Sequence, residues 1–148
     1  MRTVPISSLV PHQGTMCLLE RVVEWDDRHV VLETATHRSP LNPLRSNGRL
    51  RSLALCEYGA QAMAVHGGLR GTVTGVKPKP GMLVSLRAVK FGRDYVDDLP
   101  GDLRVEAVCL QADAGSLQYS FVVRHGETVL AEGRAAVVLV PGEKIDGK

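Results

Sequence analysis

The chain has 148 residues, 44% of them apolar and 23% charged, a mixture that suits one globular domain and gives no reason to expect a second. Its net charge of +2 is spread along the chain apart from Arg45, Arg49 and Arg51, and Phe91, Phe121, Trp25 and three tyrosines are its only aromatic rings, which argues against nucleic-acid binding. No stretch approaches the ~20 apolar residues of a membrane span, and the N-terminus lacks a signal peptide's basic start and long apolar run, so a cytoplasmic protein without a membrane segment is expected.

After a short turn at 6–9 and a break at Pro11-His12-Gln13-Gly14, residues 16–25 and 30–36 read as strands joined through Asp26-Asp27-Arg28. Residues 38–51 contain Pro40, Pro43, Asn47 and Gly48 and form a loop. A helix then runs from Ser52, its expected N-cap, to a stop at Gly67-Gly68. A second loop with Pro78 and Pro80 precedes a strand at 82–91. Beyond it Leu103, Val105, Ala107 and Cys109 alternate with Arg104 and Glu106, and Leu117, Tyr119, Phe121 and Val123 form another period-two run. Short turns at 113–116 and 125–127 close hairpins, and 129–140 supplies the last strand. The order is β-β-α-β-β-β-β. An antiparallel sheet with one long apolar helix and no second helix buries that helix by wrapping around it, so an α+β domain over 1–141 is expected, with 142–148 as a flexible tail.

Glu57 is the residue that this helix does not explain. At 100° per residue it shares a stripe with Leu53, Ala60 and Ala64, and Gln61 lies one turn further on beside it. A helix apolar on most faces is normally buried, and burying a charged carboxylate costs several kcal/mol or drives it toward its protonated form. That is the environment of a general acid or base, against the plainer alternative of a solvated edge paired with Arg51 or Arg70. Cys17, Cys56 and Cys109 show no CxxC spacing, sit in apolar runs and read as buried, reduced thiols. His12, His29, His37, His66 and His125 form no metal-binding pair, so no metal or other cofactor is expected.

Three stretches resemble a known family. The opening with Leu9, Pro11 and His12 leading to Glu20-Arg21-Val22, the helix motif Glu57-Tyr58-Gly59-Ala60-Gln61-Ala62-Met63, and the turn Leu99-Pro100-Gly101-Asp102-Leu103 are similar to the hotdog-fold 3-hydroxyacyl-[acyl-carrier-protein] dehydratases. Asn42-Pro43-Leu44-Arg45, Gly48-Arg49-Leu50 and Glu57-Tyr58 narrow the likeness to the dehydratase-like proteins of aryl polyene clusters. The resemblance implies an antiparallel sheet wrapped around a central helix, substrates held on the phosphopantetheine arm of an acyl carrier protein, and a homodimer or higher oligomer, with a second dehydratase subunit as a further partner. It also implies that Glu57 is catalytic.

The family's loop histidine, 14 residues before the helix acid, is replaced here by Pro43. His37, 20 residues before Glu57, is the nearest substitute, while His12 matches a structural histidine and His66 is expected to face away near the helix C-terminus, where the dipole would favour its charge. In a dehydratase His37 would take the C2 proton, Glu57 would protonate the leaving hydroxyl, Gln61 would orient Glu57, and backbone N–H groups near Gly48 or the helix start would polarise the thioester carbonyl. Arg45, Arg49 and Arg51 could meet the carrier or its phosphate. The same pattern leaves room for a non-catalytic subunit of a dehydratase heterocomplex and for an acyl thioesterase in which Glu57 activates water.

Overall fold

Strand alternation in the second half of the chain builds a continuous antiparallel ladder. The computed structural model describes residue 6 and residues 16–75 and 81–139, so the break at Pro11, His12 and the tail at 142–148 lie outside the described residues. The elements are β1 (Arg21–Trp25), β2 (His29–Thr34), α1 (Leu55–Thr74), β3 (Gly81–Phe91), β4 (Leu103–Ala112), β5 (Ser116–His125) and β6 (Thr128–Leu139). They form one six-stranded sheet in the order β1-β2-β4-β5-β6-β3, and every adjacent pair is antiparallel. The helix lies against β4, β2 and β5 and reaches β6 at its margin, which is the hotdog arrangement. The core between them includes Leu32, Leu55, Tyr58, Ala62, Val65, Leu103, Val105, Tyr119, Phe121 and Val123. Each fully buried large apolar side chain among these contributes about 1.5–3 kcal/mol.

Four boundaries depart from expectation. β1 starts at Arg21 and not at 16, because the backbone of the preceding segment is bonded to side chains in place of a strand: Leu18 N–H donates to Gln61, and the Leu18 carbonyl accepts from Thr34 and Thr36. β2 stops at Thr34 because Ala35 N–H is taken by the Glu20 carboxylate and the chain turns into a 3₁₀ turn at Thr36–Arg38. Ser52 does not cap the helix. It opens a 3₁₀ turn (Ser52–Ala54) and its hydroxyl donates to the Arg93 carbonyl.

The helix also runs past Gly67-Gly68 to Thr74, where Gly75 in the left-handed region (φ 75°) ends it by donating to the Gly71 carbonyl at 2.9 Å. Glycine costs about 1 kcal/mol in a helix interior, but the buried Leu69 and the pairing of Arg70 with Asp27 lie beyond it and offset that cost. The stripe Leu53, Glu57, Ala60, Ala64 is the half-exposed side of the helix and not its core side, with Leu53 66% exposed. The sheet instead covers the side carrying Leu55, Tyr58, Gly59, Ala62 and His66.

The distance between helix and sheet is set at Gly59. A Cβ there would lie 2.6 Å from the Phe121 ring, and one on Gly133 of β6 would lie 3.1 Å from the same ring, so Phe121 occupies space that two absent side chains leave open. Gly59→Ala should lower stability by about 1–3 kcal/mol, the usual cost of overpacking. Chemical denaturation should show this as a lower midpoint with an unchanged slope. Phe121→Leu in the same chain should recover part of the loss.

Candidate active site at the start of the helix

The buried amide of Gln61 organises the first two turns of α1. Its Oε1 accepts Leu18 N–H at 2.9 Å, and its Nε2 donates to the Met16 carbonyl at 2.6 Å and to Glu57 Oε2 at 3.2 Å. A backbone N–H can only donate, which fixes the amide's orientation and makes Glu57 an acceptor. Gln61 thus touches Glu57 as expected, one helical turn away. Glu57 itself is half-buried and not enclosed.

The next residue, Tyr58, is fully buried and carries a one-way chain of hydrogen bonds that sequence reasoning missed. The Leu18 carbonyl can only accept, so Thr36 Oγ1 donates to it at 2.6 Å and accepts from Tyr58 Oη at 2.8 Å. Asn42 Nδ2 donates to Tyr58 Oη at 2.9 Å and to the Thr36 carbonyl at 3.0 Å, while Asn42 Oδ1 accepts Leu44 N–H at 2.9 Å. Burial pushes the Tyr58 hydroxyl above its ordinary value of 10, which keeps it a donor. Asn42 and Tyr58 stood in the motifs that suggested the family, but a linear motif does not disclose that the two side chains meet.

His37 lies in the Thr36–Arg38 turn with none of its surface exposed. Its Nε2 is 2.9 Å from the Leu99 carbonyl and must donate to it, which leaves Nδ1, buried and without a hydrogen-bond partner, as the bare lone pair of a neutral ring. Burial holds its pKa below the ordinary 6.5. The turn is tied to the helix through Thr36 and Tyr58, yet the imidazole faces Leu99, and no hydrogen bond joins His37 to Glu57.

Gly48 sits at the exposed tip of a tight turn, with Asn47 and Gly48 both at positive φ (54° and 74°) and Ser46 and Arg49 exchanging backbone bonds of 2.8 and 3.0 Å. No hydrogen bond links it to Gln61 or Glu57. At the helix start the N–H groups of Ser52, Ala54 and Leu55 are already given to Asp94, Arg51 and the Ser52 and Leu53 carbonyls.

The arginines divide. Arg45 is not available to an anion, because its guanidinium holds the carbonyls of Ser39 (2.8 Å), Gly48 (2.8 Å), Arg38 (3.0 Å) and His37 (3.4 Å) and so shapes the loop that carries His37. Arg49 pairs with Asp97 at 3.0 Å and lies over the Tyr95 ring at 4.2 Å, with Arg51 above the same ring at 5.5 Å.

His66 differs from expectation. It is fully buried within the helix, its Nε2 donating to the Asp26 carbonyl at 2.9 Å and its Nδ1 accepting from Tyr119 Oη at 2.7 Å. Burial lowers its pKa, so it is a neutral core histidine and not a charge on the helix dipole. Among the described residues no group of His, Cys, Asp or Glu is arranged to hold a metal, and no helix is long and apolar enough to cross a membrane.

An antiparallel sheet wrapped on one helix, with an oriented carboxylate in that helix's first turn, defines a hotdog-fold protein. The same fold is seen in AziG of S. sahachiroi (TM-score 0.63, 16% identity, covering 89% of this chain and 98% of that one). It is seen again in the PaaI protein of the E. coli phenylacetic acid degradation operon (TM-score 0.59, 12% identity, covering 80% and 81%). The model of the ApeP-like family, described as ApeP dehydratase, matches residues 4–145, and the chain belongs to this family of dehydratases. The dehydratase heterocomplex ApeI:P from Xenorhabdus doucetiae superposes with a TM-score of 0.84 at 26% identity, over 95% of this chain and 94% of that one. A search of curated protein sequences returned no match.

Two measurements check this geometry. Tyr58→Phe leaves a buried Asn42 N–H without its acceptor and should cost about 1–3 kcal/mol in denaturant unfolding. By NMR, His37 and His66 should titrate below 6.5 because both are buried. His29, whose pKa is raised first by its bond to Asp26 and then by Glu24, should titrate above 6.5. The signs are opposite: the stability held by neutral His37 and His66 is intact above pH 6.5 and withdrawn as pH falls from there, whereas that of His29 is intact below 6.5 and lost as pH rises through its folded value. A midpoint above 6.5 for either buried histidine would contradict the assignment.

Proposed function

We propose that this chain is the carboxylate-bearing subunit of a dehydratase that acts on 3-hydroxyacyl thioesters held on an acyl carrier protein, in synthesis of the fatty-acid or aryl polyene type, together with a second hotdog dehydratase subunit. The observation that carries this reading is the pairing of Gln61 with Glu57: a fully buried amide, with both N–H groups donating, orients one carboxylate at the half-exposed helix start. The family supports dehydration, and the likeness to a dehydratase heterocomplex supports a partner.

A base removes the C2 proton, the C2–H electrons form the C2–C3 double bond, and the C3–O bond breaks as protonated Glu57 transfers its proton to the departing hydroxyl. The products are the enoyl thioester and water. The reaction has no net redox change and calls for no redox cofactor. The base is assigned to the partner subunit, a reading supported by the full burial of His37 and by the bond of its Nε2 to the Leu99 carbonyl. The thioester carbonyl is assigned to a backbone donor, with Gly48 N–H at the exposed loop tip as the candidate; the N–H groups of Ser52, Ala54 and Leu55 are already bonded.

A second reading keeps His37 as the base. The free lone pair on its Nδ1 favours this, since the Leu99 carbonyl fixes the proton on Nε2.

The test is turnover of a 3-hydroxyacyl thioester, followed as enoyl product and as free thiol, by the protein alone and with a hotdog dehydratase subunit. Glu57→Gln should lower enoyl formation by about 10²-fold or more, and Gln61→Ala should reduce kcat more than it changes KM. His37→Gln keeps an N–H for Leu99 but removes the basic nitrogen. Activity within a few-fold of wild type in this variant supports a partner base, and its loss supports the second reading. Free thiol without enoyl product would replace both with a thioesterase.

A further inference from the structure

The chain holds two asparagines, and their surroundings are opposite. Asn42 is buried, its carboxamide is bonded through both nitrogen and oxygen, and it is followed by Pro43, which has no N–H. Asn47 is exposed at the tip of the loop between β2 and α1 and is followed by Gly48. Among the described residues no hydrogen bond is made by the Asn47 carboxamide or by Gly48 N–H, and a Cβ added to Gly48 would meet no atom within 4 Å.

An asparagine ahead of a glycine sets an electrophilic carbon, its own Cγ, beside a backbone nitrogen that no side chain crowds. The two atoms close a five-membered ring once the nitrogen has lost its proton. Arg45 favours that loss: its guanidinium is bonded to the Gly48 carbonyl at 2.8 Å and puts a positive charge close to the nitrogen.

The folded turn opposes the same step. Asn47 is left-handed (φ 54°), and at the ψ of about +47° that goes with this region the following nitrogen points away from Cβ. Closure needs it on the Cβ side, so the Asn47–Gly48 peptide plane must rotate. That rotation requires release of the Ser46–Arg49 bonds (2.8 and 3.0 Å) and of the Arg45 bond to Gly48. Arg45 is in turn anchored to the Ser39 and Arg38 carbonyls (2.8 and 3.0 Å), so one side chain ties the tip to the base of the loop.

We propose that Asn47-Gly48 is a site of self-modification by deamidation, latent in the closed loop and guarded by the Arg45 clamp. The Gly48 nitrogen gives up its proton and attacks Asn47 Cγ; the new N–C bond forms, the bond from Cγ to the side-chain nitrogen breaks, and ammonia leaves with the proton. Water then opens the succinimide at either carbonyl, which gives aspartate or isoaspartate with no change of oxidation state. Either product adds a carboxylate two residues from both Arg45 and Arg49. Isoaspartate also adds a carbon to the main chain, which a two-residue turn cannot absorb while Ser46 and Arg49 stay paired. The inference goes beyond the dehydratase reading, in which Asn47 has no part.

The experiment is incubation of the full chain at mildly alkaline pH, folded and in urea, with peptide mapping by mass spectrometry and an isoaspartyl methyltransferase assay. Conversion at Asn47 should be at least about tenfold slower in the folded protein than in urea, and Asn42 should not convert in the folded protein. Arg45→Lys keeps the charge but not the planar fork that spans the carbonyls, so it should convert about tenfold faster than folded wild type. No conversion at Asn47 in urea, conversion of Asn42 as fast as that of Asn47 in the folded protein, or equal rates in wild type and Arg45→Lys would each overturn the proposal. Should Arg45→Lys fail to fold, the wild-type comparison decides: equal rates folded and in urea overturn the guarded site.

Discussion

The close approach of α1 to the sheet, with Phe121 filling the gap left by Gly59 and Gly133, is the constraint on which the other features depend. A helix held off by even one methyl group would shift relative to β2, β4 and β5. The hydrogen bonds that join its side chains to the strands tolerate only a few tenths of an ångström. Glu57 lies two residues before Gly59, so the point of closest packing also fixes where the carboxylate stands. Packing here is a positional device as much as a source of stability.

Two polar networks then pin the helix, one near its start and one near its middle. Near its start, Gln61 and the chain from Asn42 through Tyr58 and Thr36 converge on the backbone of Leu18, which accepts from two threonine hydroxyls and donates to the Gln61 amide. Further along, His66 joins Tyr119 of β5 to the Asp26 carbonyl in the β1–β2 turn. The carbonyls of Met16 and Leu18 can only accept and the N–H groups of Leu18 and Leu44 can only donate, which orients the amides of Gln61 and Asn42. Buried polar groups satisfied in this way specify a single geometry, which an apolar core of the same volume would not. The carboxylate proposed as the acid is the member of the first network that reaches the half-exposed side of the helix.

The opposite edge of the sheet follows a different logic. β3 pairs with β6 alone, and the left-handed Ala88 (φ 54°) interrupts that ladder between Arg87 and Lys90. An alanine in that region carries a steric cost that glycine would not.

Much of this was legible in the sequence, because period-two alternation, turn residues and one long apolar segment act locally. The element order, the single helix, the Glu57–Gln61 adjacency and the family resemblance all follow from spacing along the chain. What spacing could not show was decided by contacts between segments far apart. Leu18 left the first strand because Gln61 and two threonines capture its backbone, the helix outran Gly67-Gly68 because Leu69 and Arg70 find partners beyond them, and the Glu57 stripe turned outward because the sheet closed on the Tyr58 side. His37 shows the division clearly: its place near the site was a matter of sequence distance, but the direction of its ring was settled by the Leu99 carbonyl 62 residues away. Local propensity selects which elements form, whereas burial and hydrogen-bond satisfaction act only once the chain has closed on itself, and they decide where each side chain points.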